Sequence, residues 1–293
     1  MSTFSTCTSS TRPSSPTDGD VLFETDTKRV IVWNGTVWSQ YYYDSSLNPS
    51  FLANQLTYTG GIYTSGGYNI SVQPVMHFDA AILDGSDPLN NPGNGVNVSA
   101  WGDRSGQAVN YDASQATGSA QPIFNVSGSD NYVYFDGGDT LGLANLVNRS
   151  STQTWTTIQV GNAFSSTSIY HQAPSVGSSY GSVQAGVYSD GKIYIRGTSI
   201  ASGKDYSSLN MFTITRNSSN VVEAFRDGNN SEGSRTTADT FRFDSLGSSG
   251  GTKTKGNIYE CLLFDSILSS TDLNTINSYL ANKYSGLPTL TSW

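Results

Sequence analysis

The sequence predicts an all-β protein with a small N-terminal β-meander, a large jelly-roll sandwich and one C-terminal helix. Three observations predict this class. Ser, Thr, Asn and Gly, which favour turns, dominate the composition, and charged residues make up only 13%. The apolar runs have the length of strands and are separated by turn residues, as in sandwiches. A stretch near the C-terminus has the spacing of an amphipathic helix.

The N-terminal segment is predicted to form an arm and a three-stranded sheet. Residues 1–17 are rich in Ser and Thr and are expected to be a flexible arm. Residues 18–45 follow as a β-module, with apolar runs at Val21–Phe23, Val30–Trp33 and Val37–Tyr42. The Asn-Gly pair between the last two runs supplies the positive φ that a tight hairpin requires.

The N-terminal module is too small to cover its own apolar side chains. About 25 residues of sheet cannot form a core that stands alone in water. We therefore expect its apolar residues to mediate oligomerisation or attachment to another protein. The alternative is that the aromatic residues form a small core of their own. The residues concerned are Val30, Val32, Trp33, Trp38, Tyr41, Tyr42 and Tyr43.

A second domain follows a connector. Residues 46–72 contain Gly pairs and are predicted to be the connector, residues 73–286 the sandwich, and residues 287–293 a tail. Several strand connections carry turn residues such as Asp-Gly. The predicted strands are Val75–Asp79, Tyr132–Phe135, Trp155–Val160, Val183–Tyr188, Lys192–Arg196, Met211–Thr215, Val221–Arg226, Phe241–Phe243 and Ile258–Phe264.

The C-terminal helix is predicted from its capping residues and its periodic apolar positions. Ser269 or Ser270 can cap it, and Asp272 lies in the first turn, where the helix dipole favours an anion. Gly286 marks its end. The apolar positions are Leu273, Ile276, Leu280 and Tyr284. One short helix after nine strands fits a lid on a sandwich better than an alternation of strands and helices.

The charge balance argues against two classes of partner. The formal net charge is −8 and the sequence pI is about 4.6, with no Lys/Arg cluster, so we expect no nucleic-acid partner and no membrane association. The apolar runs are too short to cross a bilayer, and the first residues lack the pattern of a secretory signal. Cys7 and Cys261 are more simply two thiols than a disulfide, which fits synthesis in a reducing cytoplasm.

Four segments in a fixed order carry a resemblance to a known family. They are VMHFDAA (75–81), VSAWGDRSGQ (98–107), QPIF (121–124) and YVYFDGGDTL (132–141). Together with YECLLFDSILSSTDLNTINSYLANKY (259–284), they resemble the laminin G-like, concanavalin A-like lectin and glucanase domains of phage and bacterial surface proteins. The resemblance implies a concanavalin A-like jelly roll.

The N-terminal stretch GDVLFETDTKRVIVWNGTVWSQ is similar to a short element of phage virion proteins. The two resemblances together imply a structural protein on the surface of a tailed-phage virion, made in the host cytoplasm. Its partners would be other capsid or tail proteins and further copies of the chain, with a trimer suggested by analogy with phage fibres. The leading interpretation is a head decoration or head fibre, and glycan binding is compatible with this interpretation. A tail-associated, carbohydrate-binding receptor-binding protein is the alternative.

The catalytic residues of the family's hydrolase branch are not recognisable. Retaining glucanases on this fold carry two Glu with an Asp between them on one strand, because hydrolysis needs an acid and a nucleophile about 5 Å apart. The chain has Glu24, Glu223, Glu232 and Glu260, and no two of them have this spacing. Glu223 and Asp227 indicate a solvated pair near a turn. We therefore expect no enzymatic activity, and a glycan hydrolase is the weakest of the three function classes.

Metal ligands are also sparse in the sequence. His77 and His171 have no Cys, Asp or Glu at zinc spacing, and His77 is expected to be a packed or edge histidine. Calcium is the one cofactor left open, with Asp84, Asp87 and Asp103 as candidate ligands. Turns fixed by Asp side chains are the simpler interpretation of the same residues.

Glycan binding requires an aromatic face for the sugar ring and polar groups for its hydroxyls. Tyr170, His171, Gln172 and Tyr180 lie in a loop-like stretch and are the candidate residues for this role. Their spacing does not distinguish them from the many other polar and aromatic residues of the chain. Trp101 is more simply a core residue than a sugar platform.

Overall fold

A computed structural model describes the chain over most of its sandwich and over short parts of its N-terminal region. The described residues are 5–8, 10–17, 20–24, 29–33, 38–40, 58–59, 62–63, 70–85, 91–128, 130–163, 182–183, 185–187, 193–195, 198–201, 207–249, 252–253 and 255–293. The chain divides into two compact units, Met1–Ala53 and Asn54–Trp293. No helix in the described part is long and apolar enough to cross a membrane.

The N-terminal unit is a four-stranded sheet with its strands in chain order. The last three strands form the predicted antiparallel meander, and the first joins it in parallel. That first strand lies within the stretch predicted as a flexible arm and pairs Ser5 with Leu22. The strands are β1 (Ser5–Cys7), β2 (Val21–Glu24), β3 (Arg29–Trp33) and β4 (Trp38–Gln40).

Most of the regular secondary structure described in the second unit is β-strand, and one α-helix follows the strands among the described residues. The strands are β5 (Tyr58–Thr59), β6 (Ile62–Tyr63), β7 (Met76–Asp79), β8 (Val96–Asn97), β9 (Ala100–Trp101), β10 (Ala113–Ser114), β11 (Ile123–Ser127), β12 (Asp130–Asp136), β13 (Leu141–Arg149), β14 (Trp155–Ala163), β15 (Ser182–Val183), β16 (Ala185–Val187), β17 (Ile193–Ile195), β18 (Thr198–Ala201), β19 (Asn210–Arg216), β20 (Val221–Arg226), β21 (Asn230–Thr236), β22 (Thr240–Leu246), β23 (Ser248–Ser249), β24 (Thr252–Lys253) and β25 (Lys255–Phe264). The helix is α1 (Ser270–Lys283).

Two sheets pack face to face to form the sandwich. One has the order β21-β20-β19-β14-β25-β12-β11-β8, with β7 also paired to β25, and the other has the order β15-β22-β13-β10-β9. Apolar side chains of both sheets form the core between them. The largest fully buried ones include Trp101, Trp155, Phe135 and Phe241. The all-β sandwich predicted from the sequence is confirmed.

Helix α1 covers the outer face of the larger sheet and creates a second apolar core. The side chain of Ser269 caps the helix by accepting a hydrogen bond from the backbone N–H of Asp272 at 3.1 Å. The Asp272 carboxylate in turn accepts hydrogen bonds from the N–H and hydroxyl of Ser71, both at 2.7 Å. These contacts tie the start of the helix to the segment that precedes β7.

Some strands of the sandwich differ from those predicted. The predicted strand Val183–Tyr188 is wrong as a single element, because Ser182–Val183 and Ala185–Val187 belong to different sheets. Strands Leu141–Arg149 and Asn230–Thr236 are not predicted at all. The first has a register shift after Gly142 that breaks its alternation, and the second is a polar edge strand.

Candidate functional site

The turn after β9 is fixed by the carboxylate of Asp103. Its Oδ1 accepts hydrogen bonds from the backbone N–H groups of His77 and Ser105, both at 2.9 Å. Its Oδ2 accepts from the Ser105 hydroxyl at 3.0 Å and from the Tyr111 N–H at 3.2 Å. Asp103 therefore joins three separate segments, as a turn-locking side chain does.

Gly102, next to Asp103, allows two backbone segments to approach each other closely. The N–H of Gly102 donates to the carbonyl of Leu83 at 2.6 Å. A Cβ on Gly102 would lie 2.6 Å from the backbone carbonyl group of Asp84, which is closer than side-chain atoms approach. Glycine at this position therefore allows the segment around Asp84 to lie directly against the turn.

An open cleft of about 610 Å³ lies at this junction, beside the edge strand β9 and its neighbour β10. This size falls within the range of about 300–1,000 Å³ that is usual for small-molecule sites. Trp101 contributes to the wall but is fully buried, so it offers no exposed ring face. The polar groups of the lining come from Asp84, Asn97, Ser99, Asp112 and Ser114.

The chemistry of the cleft favours hydroxyl groups. Two carboxylates, one amide and two hydroxyls line it, and no positively charged side chain does so among the described residues. Carboxylate and amide oxygens accept hydrogen bonds from hydroxyls. Anionic ligands would be repelled by Asp84 and Asp112, so the cleft suits a neutral ligand that is rich in hydroxyl groups.

Two of the three predicted calcium ligands, Asp84 and Asp103, lie within the described residues. Asp84 lines the cleft, the Asp103 carboxylate is engaged by backbone and hydroxyl donors, and Asp87 lies outside the described residues. Calcium binding therefore stays a prediction. The metal-capable side chains that lie within 4.8 Å of one another in the described part are a different set, on β7 and β25.

That set is buried and belongs to a larger polar cluster, in which Asp79 and Glu260 lie opposite each other across β7 and β25. Strand β25 has a bulge opposite Val160 and Gly161 of β14. This bulge turns the Glu260 side chain toward helix α1. Lys283 of the helix places its Nζ 2.8 Å from Asp79 Oδ2 and 2.7 Å from Glu260 Oε2. Arg104 donates from Nη1 to Asp79 Oδ2 at 2.6 Å.

Glu260 is the most connected member of this cluster. Its oxygens lie 2.8 Å from His77 Nε2 and accept hydrogen bonds from the hydroxyls of Tyr279 and Tyr284 at 2.9 and 2.8 Å. Burial is the largest single influence and opposes its ionisation, but the charge of Lys283 and the contact with His77 together outweigh it, so the pKa of Glu260 lies below its ordinary value. The pKa values of both Tyr hydroxyls are raised well above the ordinary value by burial and by the Glu260 charge.

Asp79 behaves in the same way. Burial acts against its charged form, but Lys283 and then Arg104 lower the pKa of Asp79 well below the ordinary value. Two carboxylates are thus neutralised by two cations that lie within 3 Å of them. A divalent ion on His77, Asp79 and Glu260 would add charge beside Lys283, so these residues do not fit a metal centre. The cluster instead joins the sheet to helix α1.

The sequence pattern identifies only one residue of this cluster, His77, and does not identify its partner. His77 is packed, as predicted, but the sequence did not indicate its partner Glu260, which lies 183 residues away. A usable signal existed, because Asp79 ends one largely apolar strand, Glu260 interrupts another, and buried charges require partners. The pairing itself depends on strand register, which the sequence pattern does not give.

Two of the predicted attachment residues have described side chains. Trp33 and Trp38 are directly paired across β3 and β4 and are half-buried, with ring centroids 5.6 Å apart in an edge-to-face arrangement. Trp38 Nε1 donates to the carbonyl of Pro13 at 3.4 Å. Val30 and Val32 lie on β3 beside them in the chain.

The remaining predicted site residues fall outside the described residues. They are Tyr41, Tyr42 and Tyr43 of the N-terminal module, and the glycan candidates Tyr170, His171, Gln172 and Tyr180. Their roles stay predictions.

No family model matches the chain, and no curated protein is similar to it in sequence. Several solved structures are nevertheless similar to the chain. Domain 4 of a GH43 extracellular arabinanase from Geobacillus stearothermophilus, solved with arabinotriose, is similar over 69% of this chain and 98% of that domain, with 14% identity and a TM-score of 0.45. The binding domain of botulinum neurotoxin serotype G is similar over 71% of this chain and 51% of its own, with 12% identity and a TM-score of 0.43.

A sialidase from Trypanosoma rangeli, solved as a covalent intermediate with difluorosialic acid, is similar over 93% of this chain, with 14% identity and a TM-score of 0.48. The chain spans 46% of the sialidase's length. At such identities the likeness concerns the fold alone. The expectation that the chain is not an enzyme is corrected, since it rested on one missing motif; sialidases are among the similar structures. The lack of a glucanase carboxylate pattern excludes one reaction and not enzymes in general.

Proposed function

We propose that this chain is a surface protein of a tailed-phage particle, attached by its N-terminal module and displaying the sandwich, whose cleft binds carbohydrate. The observation that carries the proposal is the small size of the N-terminal sheet, whose four strands have 3, 4, 5 and 3 residues. Among its described side chains, Leu22 and Ile31 are the buried apolar ones. Strands of this length form a sheet that is too small for a stable core of its own, so we infer that a partner surface completes the module.

The exposed part of the Trp33–Trp38 pair is the proposed contact with that partner. Tryptophans are enriched at the centres of protein interfaces, because they bury a large area and keep a polar N–H. The partner is a capsid or tail protein or a second copy of the chain. A trimer that is attached to the particle makes both kinds of contact. Display at the virion surface follows from attachment through one terminal module.

The carbohydrate part of the proposal is supported by the cleft. Its neutral and acidic oxygen groups are matched to hydroxyl donors, and it has the volume of a ligand site. A neutral oligosaccharide fits this lining better than a sialylated or sulfated one, because the carboxylates of Asp84 and Asp112 repel anions.

Attachment is tested in the full chain with the double variant Trp33→Ser/Trp38→Ser. Tagged wild-type and variant proteins are added to particles that lack the chain, and bound copies are measured after sedimentation. We expect the variant to lose particle binding while its sandwich keeps the wild-type melting transition. Equal binding by both proteins would overturn the attachment role of these residues.

Carbohydrate binding is tested on an array of neutral and sialylated glycans. Ser114→Trp fills the cleft from an exposed position and should reduce the signal about tenfold or more. Ser119→Trp, also exposed but outside the cleft lining, is the matched control and should keep the signal. Binding that survives Ser114→Trp would remove the cleft from the proposal.

A tail-associated receptor-binding adhesin is the second candidate, and the cleft is the observation that favours it. The two candidates differ in position on the particle. Imaging of labelled particles places a decoration on the head and an adhesin on the tail, so density at one of the two sites decides between them.

A further inference from the structure

The last residues of the chain form a fixed wall beside helix α1. The N–H of Trp293 donates to Asn274 Oδ1 at 2.8 Å, and Asn274 Nδ2 donates back to the Trp293 carbonyl at 3.3 Å. Asn277 Nδ2 donates to the carbonyl of Thr291 at 3.1 Å. The side chains of Asn274 and Asn277 thus hold residues 291–293 at both ends.

The same wall is anchored to the turn between β20 and β21. The N–H of Thr291 donates to the carbonyl of Asp227 at 2.9 Å, and the N–H of Asn229 donates to the Thr291 carbonyl at 3.2 Å. A Cβ on Gly228 would lie 2.0 Å from the Thr291 carbonyl oxygen, so this contact requires glycine. The wall is therefore preformed and does not depend on a ligand for its position.

A groove of about 420 Å³ lies between this wall and the helix. On the helix side it is lined by Asn274, Asn277, Ser278 and Ala281, which share one face at positions i, i+3, i+4 and i+7. The opposite side is formed by residues 287–290 and 292, which are apolar or carry hydroxyls. No charged side chain lines the groove among the described residues.

One polar group of the lining lacks a hydrogen-bond partner in the described structure. Asn277 is only 6% exposed, and its Oδ1 has no donor, whereas its Nδ2 is held by Thr291. Rotating the amide by 180° would place Oδ1 against the Thr291 carbonyl oxygen, so the orientation is fixed. A buried acceptor without a donor is costly, and a ligand O–H that reaches it recovers that cost.

We propose that this groove is a second binding site, separate from the cleft, for a neutral polyol or a single neutral sugar residue. A ligand hydroxyl donates to Asn277 Oδ1, and the C–H face of the ligand lies on Leu287 and Leu290. The absence of charge in the lining selects a neutral ligand, and the mixture of apolar and hydroxyl groups matches the two faces of a sugar ring.

The test uses the full chain, titrated with methyl α-glucoside, methyl α-galactoside and glycerol at millimolar concentrations. Binding is followed by the NMR shift of the Asn277 side-chain amide. We expect a saturable shift with at least one of these neutral probes and no shift with glucose 6-phosphate. No shift with any neutral probe would overturn the proposal.

Two substitutions locate the binding. Ala281→Phe fills the groove from an exposed helix position and should weaken binding about tenfold without changing the melting temperature. Asn282→Phe, exposed in the same helix turn but outside the groove lining, is the matched control and should bind as the wild type does. Wild-type affinity in Ala281→Phe would overturn the assignment. Ser114→Trp should leave this binding unchanged, which separates the groove from the cleft.

Discussion

Removing Lys283 should destabilise the sandwich far more than removing an exposed lysine. In Lys283→Met, the carboxylates of Asp79 and Glu260 lose the cation that lies within 2.8 Å of both. Breaking a buried ion pair by deleting one partner costs about 3–5 kcal/mol, because a buried charge is left uncompensated. For a unit of this size the loss corresponds to a fall in Tm of about 6–20 °C.

The pH dependence of this loss has a definite sign. The pKa values of Asp79 and Glu260 lie below their ordinary values of 3.8 and 4.5, so their ionisation stabilises the fold above those values. That stabilisation disappears as the pH falls through the lowered pKa values. Removing Lys283 raises both pKa values, so the variant's deficit should be largest above those raised values and shrink as the pH falls through them.

The assay is urea unfolding of the wild type and variants at pH 7 and at low pH. Lys255→Met removes the same charge from an exposed position on β25 and should have little effect. Glu260→Gln/Lys283→Met removes one charge of each sign and should be less destabilised than the sum of the single variants. If Lys283→Met unfolds at the same urea concentration as Lys255→Met at pH 7, the role assigned to the buried cluster is wrong.

Three further predictions concern the turn beside the cleft and the core cysteine. Gly102→Ala should cost about 2 kcal/mol in unfolding free energy because its Cβ meets backbone at 2.6 Å, whereas Gly118→Ala, with no atom within 4 Å, should be close to neutral in urea melts. Asp103→Ala should cost about 3 kcal/mol, since it leaves backbone N–H groups without their acceptor, and a Tm equal to that of the wild type would contradict this role. Burial raises the pKa of the Cys261 thiol, so iodoacetamide should label Cys7 and spare Cys261 in the native protein, with mass spectrometry as the readout.

The elements that the sequence predicts are those with a regular pattern. Strand Val221–Arg226 and helix Ser270–Lys283 follow from alternation and from helical spacing, and both are present. Strand Leu141–Arg149 escapes prediction because its register shifts after Gly142, so its buried residues do not alternate. Local pattern thus identifies the elements whose packing is regular, and misses those that tertiary pairing imposes.

The cleft and the buried cluster depend on contacts between distant segments. The Asp84 and Gly102 backbones meet because of a close approach that a single glycine permits, and the sequence shows the glycine but not its neighbour. Asp79 and Glu260 come together only through the register of β7 and β25. Charged residues within apolar strands indicate that partners exist, and the fold determines which residues they are.

Hydrogen exchange of the N-terminal module tests the central claim most directly. Amides of residues 18–45 are compared in the isolated single chain and in the chain assembled on its particle. A sheet that needs a partner surface should exchange rapidly in the isolated chain and become strongly protected on assembly. Equal protection of these amides in a monomeric chain would contradict the account, because the module would then be stable by itself.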